Sequence, residues 1–263
     1  LILSRAKRIE DRFAADCLEG MLCRSMEITR TVGGDWPIAA ITRDIDDKME
    51  HDVWQMRADP VHARAGLGEI TLYHPHELMI TRDESEALVD SISKHFSDEP
   101  WRLQAPHPAR WYIECATDPG ITTESLSKMT GVVEDRLLPQ GEQKSYWRSV
   151  VNETQMLLHT HPVNEKRRED GLAAVNSIWL WGSGKRPEWG NVCWTAVCGE
   201  FHLGEALARG AGLRHSNQPG GLNGLLSREP GSARHLVVLD QLDLPTRRLD
   251  FEGWRSGLEG LTQ

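Results

Sequence analysis

Eight residues, Arg57-Ala58-Asp59-Pro60-Val61-His62-Ala63-Arg64, bring two guanidiniums, a carboxylate and an imidazole into one short run. Along a strand, alternation places His62 and Arg64 on one face. Such a set suits a phosphate or a carboxylate. His107 and Arg110 form a similar pair, held among Pro106, Pro108 and Trp111. Together the two sets are expected to form an anion pocket; the alternative is a solvated strand edge. A further cluster is His159-Thr160-His161-Pro162-Val163-Asn164. Two apart on a helix, His159 and His161 point in different directions, which is poor geometry for joint metal ligation. His161 is instead expected to satisfy free carbonyls at a helix end. Asn164 and Asn176 flank the start of the next strand and read as backbone-bonding residues. Gly182-Ser183-Gly184 closes that strand, where small residues let backbone N–H groups approach an anion. A tight strand exit explains this triplet equally well, since it is neither GxGxxG nor a Walker A loop. The candidate ligand-binding residues are thus Arg57, His62, Arg64, His107, Arg110, His161, Asn164, Asn176 and Ser183. No GxSxG or HExxH motif occurs.

The elements that must position these residues follow from apolar periodicity. Ile9, Phe13, Cys17, Leu18, Met21 and Leu22 have helical spacing, and Gly33-Gly34-Asp35 ends that pattern. Trp36 to Ile41 reads as a buried strand and the acidic stretch 43–52 as a loop. Trp54 to Ala58, Val61 to Ala63 and Glu69 to Tyr73 read as strands, with a bend at Asp59-Pro60. Thr81 or Asp83 is expected to cap a helix running to about His95. Trp101 to Gln104 and Trp111 to Cys115 are further strands. Glu142 to His159 is the strongest helix, with Tyr146, Val150, Met156 and Leu157 on its apolar face. Val175 to Trp181 is a near-continuous apolar run, as in a strand buried on both faces. Val192 to Val197 and His235 to Asp240 are strands, Glu205 to Arg209 and Asp250 to Leu258 helices. This later alternation argues for a partly parallel α/β sheet.

The 263 residues carry 30 basic and 39 acidic side chains, a formal charge of −9. That balance argues against a dedicated nucleic-acid binder. No apolar stretch approaches the length of a membrane span. Residues 1–10, LILSRAKRIE, lack the apolar run of a secretory signal, and a cytoplasmic location is expected. The five cysteines, 17, 23, 115, 193 and 198, form no CxxC and read as reduced thiols, with a disulfide or metal role for Cys193 and Cys198 the minor reading. Tryptophan is plentiful, at 10 against 4 Phe and 3 Tyr. Those rings form either the large hydrophobes of the core or an aromatic-lined pocket, and each indole N–H needs a partner when buried.

Residues 151–184, VNETQMLLHTHPVNEKRREDGLAAVNSIWLWGSG, resemble a segment of the archaeal-type cofactor-independent phosphoglycerate mutases. DWPIAAITR (35–43), RADPVHAR (57–64), APHPARWYI (105–113) and LPQG (138–141), with the same VNSIWLWGSG strand, resemble more closely the bacterial RpfE-type regulatory proteins related to those mutases. The resemblance implies an α/β fold of the alkaline-phosphatase superfamily. In it, 1–52 would hold N-terminal helices and a first core strand, 53–135 an inserted α+β subdomain, and 136–263 part of the α/β core. It also implies two divalent metals held by Asp and His, and a Ser or Thr that takes the phosphoryl group. The segment matching the family's late Asp-x-x-Gly-His is HLVVLDQLDLPTRRLD, 235–250. Asp240 and Asp243 match there, but Thr246, Arg247 and Arg248 stand where a His would follow, and no early nucleophile motif precedes Trp36. A phosphotransferase of this kind needs its metals to neutralise the transferring group. The resemblance therefore implies a degenerate, non-catalytic regulatory or ligand-binding relative, with no cofactor and a small anionic ligand or a protein as partner. One alternative is a metal-dependent phosphomutase or phosphatase using Mn or Zn on Asp240, Asp243, His159 and His161. Another is a subunit that docks a Trp-rich surface on a protein partner.

Overall fold

The computed structural model describes residues 17–30, 33–47, 52–65, 70–128, 138–217, 234–239, 242, 245 and 250–262. The fold is mixed α/β, with seven α-helices among the described residues. The chain divides into two compact units, Thr29–Pro187 and a second built from Leu1–Ile28 with Glu188–Gln263.

The larger unit is organised on strand β1 (Trp54–Ala65). It pairs with β2 (Ile70–Tyr73) and β4 (Arg110–Cys115) along one side and with β5 (Ser177–Gly184) along the other, while β3 (Trp101–His107) adds to β4; all pairings are antiparallel. The sequence predicts a bend at Asp59-Pro60, yet β1 runs straight through it. The reason lies in the register. Between the residues that pair with β4 and those that pair with β2, Pro60 has a neighbour on the β5 side only. The N–H it lacks is therefore not missed. The free edge strand β3 carries Pro106, which blunts it against further pairing.

Alternation gives the sheet two unlike faces. Met56, Ala58, Leu103, Trp111, Ile113 and Leu180 face the apolar core, with Leu88 and Ile92 of α3 (Arg82–His95) and Trp147, Val150 and Leu158 of α4 (Lys144–His159). The other face, with Gln55, Arg57, Asp59, Tyr112 and Trp181, lies beneath α2 (Ile38–Asp46). From Ile38 on, the run read as a strand over 36–41 is thus a helix. It holds the strong helix formers Ala39 and Ala40, and a short apolar run does not separate helix from strand by periodicity. The acidic residues that follow complete its last turn.

Thr81 caps α3 through a reciprocal box, its hydroxyl accepting from Glu84 N while Glu84 Oε2 accepts from Thr81 N. Helix α4 buries Trp147, Val150, Thr154 and Leu158, so its apolar stripe is turned from the predicted one and Met156 is exposed. The buried Arg167 of α5 (Pro162–Glu169) donates to Glu84, to Leu78 O and to Ala173 O, tying α5 to the start of α3. All eight residues of β5 are buried, as its apolar run predicts, but β5 is antiparallel to β1.

The parallel pairing lies in the smaller unit. Its sheet is β6 (Ala196–Cys198), β7 (Arg214–Ser216) and β8 (His235–Val237) in the order β7-β6-β8. Helices α1 (Leu18–Ser25), α6 (His202–Gly210) and α7 (Phe251–Thr262) accompany it. No disulfide joins the five cysteines. No helix among the described residues is long and apolar enough to cross a membrane.

Asn164 locks α4, α5 and β5 together, donating to Leu158 O (2.9 Å) and Val175 O (2.7 Å) and accepting from Val175 N (2.8 Å). Asn164→Ala strands these buried backbone groups. It is expected to cost about 2–4 kcal/mol, read as a lower urea midpoint with an unchanged denaturant slope.

Candidate functional site

Register places Trp181, Arg57, Tyr112 and Gln104 in one row across β5, β1, β4 and β3. The Arg57 guanidinium lies 5.0 Å from the Tyr112 ring centroid and 5.3 Å from that of Trp181. Its Nε and Nη2 donate to Asp59, two residues along the same face, at 2.7–2.9 Å. Asp59 Oδ2 also accepts from Trp181 Nε1 at 2.8 Å. Helix α2 completes the enclosure with Thr42, whose hydroxyl donates to Ile38 O and accepts from Arg57 Nη1. Burial works against the Arg57 charge, but Asp59 beside it and Asp46 further off more than offset this, so its pKa rises and the guanidinium stays charged.

Toward solvent the network continues. Arg110 binds Asp46 in bidentate fashion, Nε to Oδ2 at 2.8 Å and Nη2 to Oδ1 at 2.6 Å. The Tyr112 hydroxyl donates to Asp46 Oδ2 at 2.5 Å. Burial, more than any charge, pushes that phenol above its ordinary range, so it remains a proton donor. Arg43 stacks on the same ring at 5.0 Å and binds Asp47 and Gln104, while its buried Nη1 has no partner among the described residues. Three guanidiniums, of Arg43, Arg57 and Arg110, thus face three carboxylates, of Asp46, Asp47 and Asp59.

A second cluster sits at the far end of β5. Gln55 faces Gly184 and Arg57 faces Trp181, so β5 carries one extra residue there, a bulge with Gly182 at φ +65°. A Cβ on Gly184 would stand 2.6 Å from Pro37 Cβ, so this close approach requires glycine. The bulge aims Ser183 N at Asp35 Oδ2 (3.3 Å), and Asp35 also binds the backbone N–H and hydroxyl of Thr123. Burial raises the Asp35 pKa although these donors oppose it. The Ser183 hydroxyl and both polar atoms of Gln55 are buried without hydrogen-bond partners among the described residues.

Of the predicted residues, the structure brings Arg57 and Arg110 into one network, with His107 on the adjoining hairpin, where its Nδ1 accepts from Ala109 N. His62, on β1, bonds Ala174 O, and Asn176, just before β5, bonds both backbone groups of Ala63. Arg64 is exposed further along β1. Ser183 is at the opposite end of β5. The His161 side chain turns to other partners than the carbonyls at the end of α4; its Nδ1 accepts from Val163 N, capping α5, and its Nε2 meets Ser91 Oγ at 2.9 Å. Pro162 explains the difference, because a proline at the first helical position starts a new helix there. His159 is exposed at the end of α4. Both ring nitrogens of His161 are engaged, and Asp240 and Asp243 lie outside the described residues. Among the described residues, no group of three His, Cys, Asp or Glu could hold a metal ion. Sequence reading missed Asp35, Thr42, Arg43, Asp46 and Tyr112. The available signal was the i,i+4 spacing of Thr42 with Asp46 and Arg43 with Asp47, visible only once that stretch is read as helix.

No protein-family model matches the chain. It is similar to the 2,3-bisphosphoglycerate-independent phosphoglycerate mutase of Methanosarcina mazei, 33% identical over 111 residues, which are 41% of this chain and 28% of that protein. The enzyme of the same name from Methanosarcina acetivorans is 32% identical over 111 residues, with the same coverage. A probable one from Geobacter sulfurreducens is 44% identical over 50 residues, 19% of this chain and 12% of that one. Over the matched residues the chain is homologous to these mutases, and the longer matches span little more than a quarter of their length. Among solved structures it is similar to the cofactor-independent phosphoglycerate mutase of Thermoplasma acidophilum, with a TM-score of 0.45 and 13% identity over 94% of this chain and 70% of that one. A Pyrococcus horikoshii protein gives a TM-score of 0.42 and 13% identity over 92% and 64%.

Asp59→Asn leaves Arg57 buried without its counter-charge and is expected to cost about 3–5 kcal/mol in urea unfolding. The double change Arg57→Met with Asp59→Leu removes both charges and is expected to cost far less. Burial lowers the His161 pKa, and the Ala87 backbone opposes this only in part. The unfolded chain then binds the proton more readily, so the contribution of His161 is complete above the ordinary imidazole pKa and lost as pH falls through the lowered one. His161→Asn keeps a good N-cap. It is expected to flatten the fall in urea midpoint between neutral and mildly acidic pH.

Proposed function

We propose that this chain is a non-catalytic relative of the phosphoglycerate mutases that binds a small phosphorylated anion and serves a regulatory role. The observation that supports this most directly is the makeup of the network beneath α2. Its members are hydrogen-bond donors suited to an anion, together with carboxylates already bonded to those donors. The Tyr112 phenol is held protonated, and the Thr42 hydroxyl is committed to Ile38 O. The Thr42 hydroxyl donates to a carbonyl and not to a base, and the Tyr112 phenol, although it donates to Asp46, has its pKa raised where an activated nucleophile needs it lowered. Homology to the mutases over 111 residues makes phosphoglycerates the first ligands to try. The reading accords with the motif resemblance to the RpfE-type regulatory proteins.

Calorimetric titration with 3-phosphoglycerate is expected to show saturable binding that weakens as salt is added. A coupled assay for 2-phosphoglycerate, with excess Mn²⁺ present, is expected to show no interconversion. Turnover that a chelator abolishes overturns the reading in favour of a working metal-dependent mutase.

A further inference from the structure

Asp46 is held as a ligand is held. Three donors converge on its carboxylate, Arg110 Nε and Nη2 and the Tyr112 hydroxyl, and all three come from β4. The receptor is rigid: Arg110 ends a tight hairpin in register with His107, and Tyr112 projects from the same face two residues on. The carboxylate comes from a different element, the last residue of α2.

Its place on that helix is locally unfavourable. Asp44 and Asp46, followed by Asp47, put three carboxylates at the C-terminal end of a helix, where the macrodipole favours cations. Arg186 and Arg43 answer Asp44 and Asp47. Asp46 is answered from the sheet. Such a conflict between local preference and the whole fold marks functional positions. Exposure follows the same logic, for Asp46 is 4% exposed and Arg110 22%, so an anion arriving from solvent meets the guanidinium first. Without Asp46, the sheet face carries Arg57, Arg102 and Arg110 against Asp59 and Glu114, an excess of one positive charge.

We propose that Arg110 and Tyr112, backed by Arg57, form a binding site for a phosphate monoester, and that Asp46 is a built-in competitor occupying it in this conformation. The proposal rests on the anion-binding reading above and adds its regulation. A bidentate guanidinium beside a phenol matches two phosphate oxygens as well as it matches a carboxylate. Ligand binding then displaces the acidic end of α2. The apparent affinity is reduced by the fraction of molecules in which Asp46 is seated.

The test compares the whole chain with Asp46→Ala, titrating inorganic phosphate and 3-phosphoglycerate separately at low salt. Asp46→Ala is expected to bind 3-phosphoglycerate about tenfold more tightly or better, a gain that Arg110→Ala in the same background abolishes. An equal gain for inorganic phosphate shows that the phosphate group alone is read; a gain confined to 3-phosphoglycerate shows that the rest of the molecule is read too. Equal, measurable binding by the parent chain and a folded Asp46→Ala overturns this proposal and leaves the preceding reading standing. A gain that survives Arg110→Ala also overturns it. Absence of binding by both proteins removes both readings. Should Asp46→Ala not melt cooperatively, recovery of a cooperative melt in high phosphate supports the site. No recovery in phosphate, together with unchanged affinity in the isosteric Asp46→Asn, overturns it.

Discussion

A guanidinium sits nearly out of reach of water in the central strand of a sheet, and much of the larger unit can be understood as what that charge requires. Arg57 is 5% exposed. Burying such a group without compensation costs several kcal/mol, and only good geometry recovers it. Each requirement is met by a different element. Asp59 supplies the counter-charge from the same strand face. Tyr112 and Trp181 supply aromatic surfaces from the two flanking strands. Thr42 supplies an acceptor from the helix above. The sheet therefore has one apolar face that holds the unit together and one charged face whose members hold one another in place.

The charged face shows a recurring device: where donors converge, the chain provides its own anion. Asp46 fills the fork of Arg110, and Asp35 receives the backbone N–H groups of Thr123 and Ser183. The sequence suggested anion recognition at Arg110 and at the Gly-Ser-Gly exit, and a carboxylate of the chain itself is found at both. The polar atoms left over, on Gln55, Ser183 and Arg43, lie in the same buried layer. An unmatched buried polar atom costs about 1–3 kcal/mol, so this layer is less settled than the apolar one opposite.

What was legible in the sequence was local. A cap at Thr81, the long α4 helix, the apolar β5 run and strands β6 and β8 follow from neighbouring residues or short periods, whereas the three-residue β7 carries no such signal. The site was legible only as a list of donors. Arg57 and Arg110 carried a signal because arginines in strands beside prolines are conspicuous. Their partners did not, because Asp46 is 64 residues from Arg110 and Thr42 70 from Tyr112. Reading 36–41 as a strand also hid the helix that carries Thr42, Arg43 and Asp46. The phase of α4 is set in the same way: Thr154 is buried and Met156 exposed, since the geometry of the facing sheet, not hydropathy alone, chooses the stripe.

The pairing of β1 with β5 bears on how the chain comes to be folded. Asp59 and Trp181 bond across 122 residues of sequence. During synthesis the charged strand emerges long before the partner that closes one whole side of it. Contacts this distant are slow to form, because the intervening loop must be closed first. Until then β1 offers a bare edge, of the kind that invites wrong pairing in a crowded cell. Arg57 and Asp59 stand in that edge, two residues apart and already complementary. Their charges keep the waiting strand hydrated and discourage it from pairing with a stranger, so the pair that the finished sheet must work to bury guards the unfinished one.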